Sequence, residues 1–237
     1  MSLPRGLLIF ALTLLPEWVS SGGIWISAQG CGVKKGCVLW PANCRELGCE
    51  ILFTFEEAIT KDVVHFELQA KSTGWVAVGF SYDMHMGHDD VYSCVNVNGT
   101  VHLRRSYNQQ HRNYNQDLYG VSHEEGFYAD GFISCRFTRT KDVQQLDVNM
   151  FGFFQAWYLL LPSGPVDIQT GKMKPHIGMP VVSSIKVLLS QTQHEFIPAE
   201  IAHDAQHSYL RNGTPSRNTM TGRVLLLIGC LLFVINQ

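Results

Sequence analysis

The chain has 237 residues and a formal net charge of −2, with no run of basic residues. That balance excludes a nucleic-acid-binding surface as the main business of the protein. The length suits one domain with segments at either end, enough to bury a core.

Residues 1–21 read as a secretory signal peptide. Arg5 supplies the positive charge, residues 6–15 form a short apolar run, and Val19 and Ser21 suit the positions before a cleavage site. Seven cysteines follow that leader. Cys230 lies in the C-terminal tail. The other six, Cys31, Cys37, Cys44, Cys49, Cys94 and Cys135, read as disulfides of an oxidising compartment. Four of them crowd into residues 22–49, which predicts a loop-rich, stapled N-terminal segment with three pairings open. Cys94 and Cys135 sit on separate strand-like runs and are expected to pair across a sheet.

From residue 50 to residue 190 the pattern is strand after strand. Runs at 51–55, 63–68, 74–80, 91–97, 101–107 and 132–137 carry β-favouring or alternating apolar residues. A weaker run follows at 146–150, and runs at 155–161 and 183–189 complete the set. Asn98-Gly99 between two runs is a hairpin signal. Asn98-Gly99-Thr100 is also an N-glycosylation sequon, with Asn98 as its acceptor. Residues 108–126 are polar and read as a long surface loop. This set predicts an all-β, antiparallel, immunoglobulin-like sandwich.

Residues 191–223 read as a polar stalk and spacer. His203-Asp204-Ala205-Gln206-His207 sits there, a poor zinc-protease match because Asp replaces Glu and no third ligand stands out. Residues 224–237 hold a twelve-residue apolar run, 224–235. That is short for a spanning helix. It predicts either a lipid-attachment signal of the GPI type, with Asn212 as the attachment residue, or a retained tail anchor. Asn212 heads a second sequon, and one asparagine cannot serve both fates.

The chemistry-bearing stretch is 74–91. A buried strand, Trp75-Val76-Ala77-Val78-Gly79-Phe80, runs into a loop with Met84, His85, Met86 and His88, then Asp89 and Asp90. Thioether and imidazole are donors for copper or haem iron. As four donors in five residues they suggest a copper site. Asp89 and Asp90 point apart on an extended chain, so loop hydrogen bonds are their expected work rather than shared acid–base chemistry.

Trp-Val-Ala-Val-Gly-Phe-Ser followed by Met-Gly-His-Asp-Asp-Val resembles the core motif of DOMON domains, most closely the ferric-chelate reductase 1-like group. The resemblance covers about residues 31–189. It implies haem b held by Met86 and by His176, in Lys172-Met173-Lys174-Pro175-His176, with Trp75, Phe80, Phe151, Phe153, Phe154, Trp157 and Tyr158 as pocket walls. The implied function is a haem-b electron-relay module at the membrane, serving a membrane redox protein. The alternative it implies is a non-enzymatic accessory protein for assembly or trafficking of a membrane receptor of the AMPA-type glutamate class. No self-contained active site is marked out. The expected location is the cell surface or the endoplasmic reticulum membrane, with the domain extracellular or luminal.

Overall fold

The computed structural model describes residues 23–143, 147, 149–190 and 197–202. The leader, Asn212, the His203–His207 motif and the C-terminal apolar run lie outside the described residues.

Among the described residues thirteen strands follow in chain order: β1 (Gly36–Trp40), β2 (Ile51–Glu57), β3 (Val63–Lys71), β4 (Trp75–Ser81), β5 (Asp89–Val97), β6 (Thr100–Gln109), β7 (Arg112–Gln116), β8 (Val121–Ala129), β9 (Phe132–Thr140), β10 (Tyr158–Leu161), β11 (Ser163–Gly164), β12 (Val181–Ser183) and β13 (Ala199–Ile201). They make two antiparallel sheets. One has the order β1-β2-β3-β9-β8. The other runs β13-β12-β10-β4-β5-β6-β7, with β11 also on β4.

The inner faces meet in an aromatic core. Phe66 of the first sheet lies 5.6 Å from Phe80 of the second, ring to ring, and 5.5 Å from Phe153. Tyr92 stacks on Phe137 across the sheets at 5.2 Å. Cys94 of β5 and Cys135 of β9 join the two sheets by a disulfide. Two more bridges, Cys31–Cys37 and Cys44–Cys49, resolve the open pairings of the N-terminal segment.

Several expectations need correction. The N-terminal segment is not only loop: β1 pairs in full register with β2. Its Val38 and Leu39 are buried, and the flanking glycine and cysteines hid the run. Residues 108–126 are not a loop. They hold the end of β6, all of β7 and the start of β8, with a bulge between Ser122 and Glu125. β7 is exposed at all but its last residue and β8 is exposed from Ser122 to Gly126, so no apolar alternation betrays them. In the weak run at 146–150, the described residues Asp147, Asn149 and Met150 form no strand. The last core strand is β12, at 181–183 rather than 183–189. The sheet also continues past residue 190, because β13 pairs with β12.

Candidate functional site

β4 ends at Ser81, and short side chains shape the loop after it. The Asp83 N–H donates to Ser81 Oγ (3.3 Å), and the His85 N–H donates to Asp83 Oδ1 (2.8 Å). These are local side-chain turns of the kind Ser and Asp favour. His88 takes a left-handed conformation (φ 60°), and its N–H donates to the Asn108 carbonyl (2.6 Å). Met84 and Met86 are half-buried, while His85 and His88 are exposed. His88 Nδ1 lies 3.1 Å from the Tyr107 hydroxyl. Among the described residues, no group of three or more His, Cys, Asp or Glu side chains is arranged to hold a metal ion.

Asp89 and Asp90 belong to β5, not to the loop, and both are fully buried. They point apart as an extended chain requires. Asp89 Oδ2 accepts from the Gly87 N–H (2.8 Å) and from Asn108 Nδ2 (2.9 Å), which pins the loop from below. Burial raises the Asp89 pKa in spite of those bonds. Asp90 faces the interior and does more than loop bonding. Arg105 Nε donates to its Oδ1 (2.8 Å), Arg139 Nη2 stands 3.5 Å from its Oδ2, and the Phe151 N–H donates to Oδ2 (3.1 Å).

Neither arginine stood out in the sequence. Both are buried, Arg105 on β6 and Arg139 on β9. Arg105 has a second carboxylate, Asp147, at 2.7 Å. Arg139 has only Asp90 as an ion-pair partner among the described residues, and none of its three side-chain nitrogens makes a hydrogen bond there. Its guanidinium lies over the Phe153 ring, 3.8 Å from the centroid. Burial lowers the Arg139 pKa, as it raises that of Asp90 against the pull of both arginines. A signal existed: Arg139 follows Ile133, Cys135 and Phe137 on one alternating face, and Asp90 precedes Tyr92 and Cys94 on another.

His176 lies elsewhere. Its Nδ1 donates to the Gly178 carbonyl (2.7 Å), and the next N–H, that of Ile177, donates to Ser163 O (3.3 Å). Ser163 stands opposite Val76, and Gly164 opposite Trp75. The Trp75 indole N–H donates to Lys174 O (3.0 Å). His176 therefore sits at the Trp75 end of β4, and Met86 lies beyond the Ser81 end. The seven residues of β4, with six rises of about 3.3 Å between them, separate those ends by about 20 Å. The structure does not bring Met86 and His176 together, and this pair does not fit the two faces of one haem. The expected pocket walls divide in the same way. Phe80, Phe151, Phe153 and Trp157 pack in the main core. Trp75 packs in a separate cluster with Ala77, Val91 and Val95. Phe154 is 65% exposed.

A surface groove of about 390 Å³ lies at the His176 end. Trp40, Lys71, His176, Ile177, Met179 and Ile201 are among its lining residues. It opens where β1 and β13, the outer strands of the two sheets, come together; two residues before β13 the Ile197 N–H donates to the Cys37 carbonyl of β1 (2.8 Å).

Comparison with known proteins gives this arrangement a context. Residues 48–164 match the DOMON domain family. The chain is 34% identical over 182 residues to DOMON domain-containing protein FRRS1L of Mus musculus, covering 73% of this chain and 59% of that protein. The human protein of the same name is also 34% identical over 182 residues. Ferric-chelate reductase 1 of Mus musculus is 31% identical over 172 residues, covering 70% of this chain and 28% of the reductase. The chain thus spans less than two thirds of the first of these relatives and less than a third of the reductase.

Proposed function

This chain is a DOMON-domain protein related to FRRS1L and the ferric-chelate reductases, and we propose that its sandwich is a membrane-attached binding module that assists another membrane protein. The observation that carries this reading is the separation of Met86 from His176. The resemblance points to those two residues as axial ligands, and the register of β4 with β11 keeps them at opposite ends. Beneath the loop that carries Met86 the interior is filled by side chains, with Tyr82 at the start of that loop against Phe151 and Trp157, Phe151 stacked on Trp157 at 4.5 Å, and Arg139 against Phe153. The partner class suggested by the resemblance is a receptor of the AMPA-type glutamate family, assisted in assembly or trafficking. The domain faces the extracellular or luminal side, held by lipid at Asn212 or by the 224–235 run. Among the described residues no helix is long and apolar enough to cross a membrane.

The second reading keeps haem b and makes the chain an electron relay for a membrane redox protein. Its support is the half-buried Met86 and the kinship with ferric-chelate reductase 1. One experiment separates the two. The full chain is expressed with haem supplementation and checked for its disulfides, and its visible spectrum is recorded. The binding-module reading expects no Soret band, with co-purification and about twofold higher surface level of a co-expressed AMPA-type receptor. A Soret band with sharp reduced bands, altered by Met86→Ala, overturns it.

A further inference from the structure

We propose that the groove rim at the His176 end is a phospholipid-binding face, which holds this end of the sandwich against the bilayer. The inference rests on the membrane attachment proposed above and adds which surface meets the lipid.

Four observations converge there. First, the rim is apolar where solvent would be expected. Ile177 is 78% exposed, Met179 42% and Ile201 38%, and all three line one groove beside Trp40. Second, the loop that carries Ile177 is short and held firmly. The Lys174 N–H donates to Pro165 O (2.9 Å), and Gly178 turns the chain at φ 72°. Ordering its apolar tip against a surface therefore costs little further entropy.

Third, cations stand on the groove and on its loop, with the Glu50 carboxylate also on the groove. Lys71, Lys172 and Lys174 are exposed on the same groove or loop. Lys174 is loosely paired with Asp167 at 3.6 Å. Trp with Lys around protruding aliphatic side chains is the composition that settles at the headgroup–acyl boundary, the ring and aliphatic groups inward and the ammonium groups at phosphate level. Fourth, the last described residues, 199–202, lie at this rim. The Ala202 N–H donates to Pro180 O (2.9 Å), next to Met179. Twenty-one residues then lead to Val224, where the apolar run begins. Attachment through the 224–235 run would raise the effective concentration of bilayer at the rim from which those residues depart, as linking two binding events does generally. The 82–88 loop lies at the other end of the sandwich and is left free for a protein partner.

The test uses the full chain reconstituted into phosphatidylcholine vesicles that contain a phosphatidylcholine with a photoreactive diazirine in its acyl chain. After irradiation, lipid adducts are mapped by peptide mass spectrometry. The expected result is adducts within residues 172–180, falling about tenfold when Ile177→Asp and Met179→Asp are combined. Both side chains are exposed, so the variant should keep its melting temperature. Adducts confined to residues 224–235 would overturn the proposal and leave membrane attachment standing. Adducts in 172–180 that the double variant does not reduce would also overturn it, as would cross-links between two copies of the chain through that loop in place of lipid adducts. A chain recovered free of the vesicles, with no adducts anywhere, would overturn both the lipid face and the attachment reading.

Discussion

Replacing Asp90 by Asn tests how the interior holds its charges. Asp90 is the only ion-pair partner of Arg139 among the described residues, and Arg139 is fully buried. Arg105 keeps Asp147 after the change, so the loss falls on Arg139. The asparagine oxygen can still accept from the Phe151 N–H, which isolates the charge from the hydrogen bond. Leaving a buried cation uncompensated costs about 3–5 kcal/mol. For a domain of this size that lowers the melting temperature by about 6–20 °C. The cycle is completed with Arg139→Met, which fits beside Phe153 and Tyr92, and with the double variant. Once the cation is gone the missing carboxylate matters less, so the double variant should recover at least about 2 kcal/mol relative to Asp90→Asn. Calorimetry and urea unfolding of the four proteins read the coupling. Strictly additive losses would refute the reasoning, since they would mean that Asp90 does not hold Arg139.

Asp89→Asn should raise the melting temperature at pH 7 by a few degrees, about 3 °C. Burial raises the folded pKa of Asp89, so its contribution is present at low pH and is lost as pH rises through that value. The gain over the parent should therefore grow between pH 4 and pH 7, and a gain independent of pH would count against it. Cys94→Ala with Cys135→Ala should cost about 2–5 kcal/mol in denaturant unfolding, because the bridge ties the two sheets together. Asn98 is exposed at the β5–β6 hairpin tip with φ 53°, so chain from a secretory host should shift in mass on glycosidase treatment. Asn98→Gln should remove the part of that shift due to this site, with the remainder assigned to Asn212 by peptide mapping.

Much of the sandwich was legible because burial writes itself into apolar runs. β4 is buried at every position and β5 at all but its last, and both read as strands on composition alone. The outer strands lacked that signature. β7, Arg-Asn-Tyr-Asn-Gln, is exposed at all but its last residue, so nothing in it alternates. β13 has three residues and owes its existence to pairing with β12, a tertiary fact no local pattern carries. The buried arginines are the more instructive omission. They lie at inward positions of strands whose other inward residues are apolar. That was readable as a conflict between pattern and charge, and such conflicts mark paired charges inside a core.

The separation of Met86 from His176 was not legible, because it depends on register. His176 could approach Met86 only if the chain around β11 slid along β4 by about five residues toward Ser81. Several contacts oppose that slide. Gly164 packs against Trp75 so closely that an added Cβ would lie 2.8 Å from the indole ring and 2.9 Å from the Cα of His176. The Trp75 indole N–H is bonded to Lys174 O, and the Ala77 N–H to Pro162 O (2.9 Å). A slip by an odd number of residues also exchanges the two faces of a strand, which would turn the buried Leu159 and Leu161 away from the core. The Asp-Asp half of the motif is accounted for by folding: one carboxylate pins the loop and the other holds two buried guanidiniums. The methionine beside it is half-buried, and whether it ligates haem iron or meets a protein partner is the property that distinguishes a relay from a binding module.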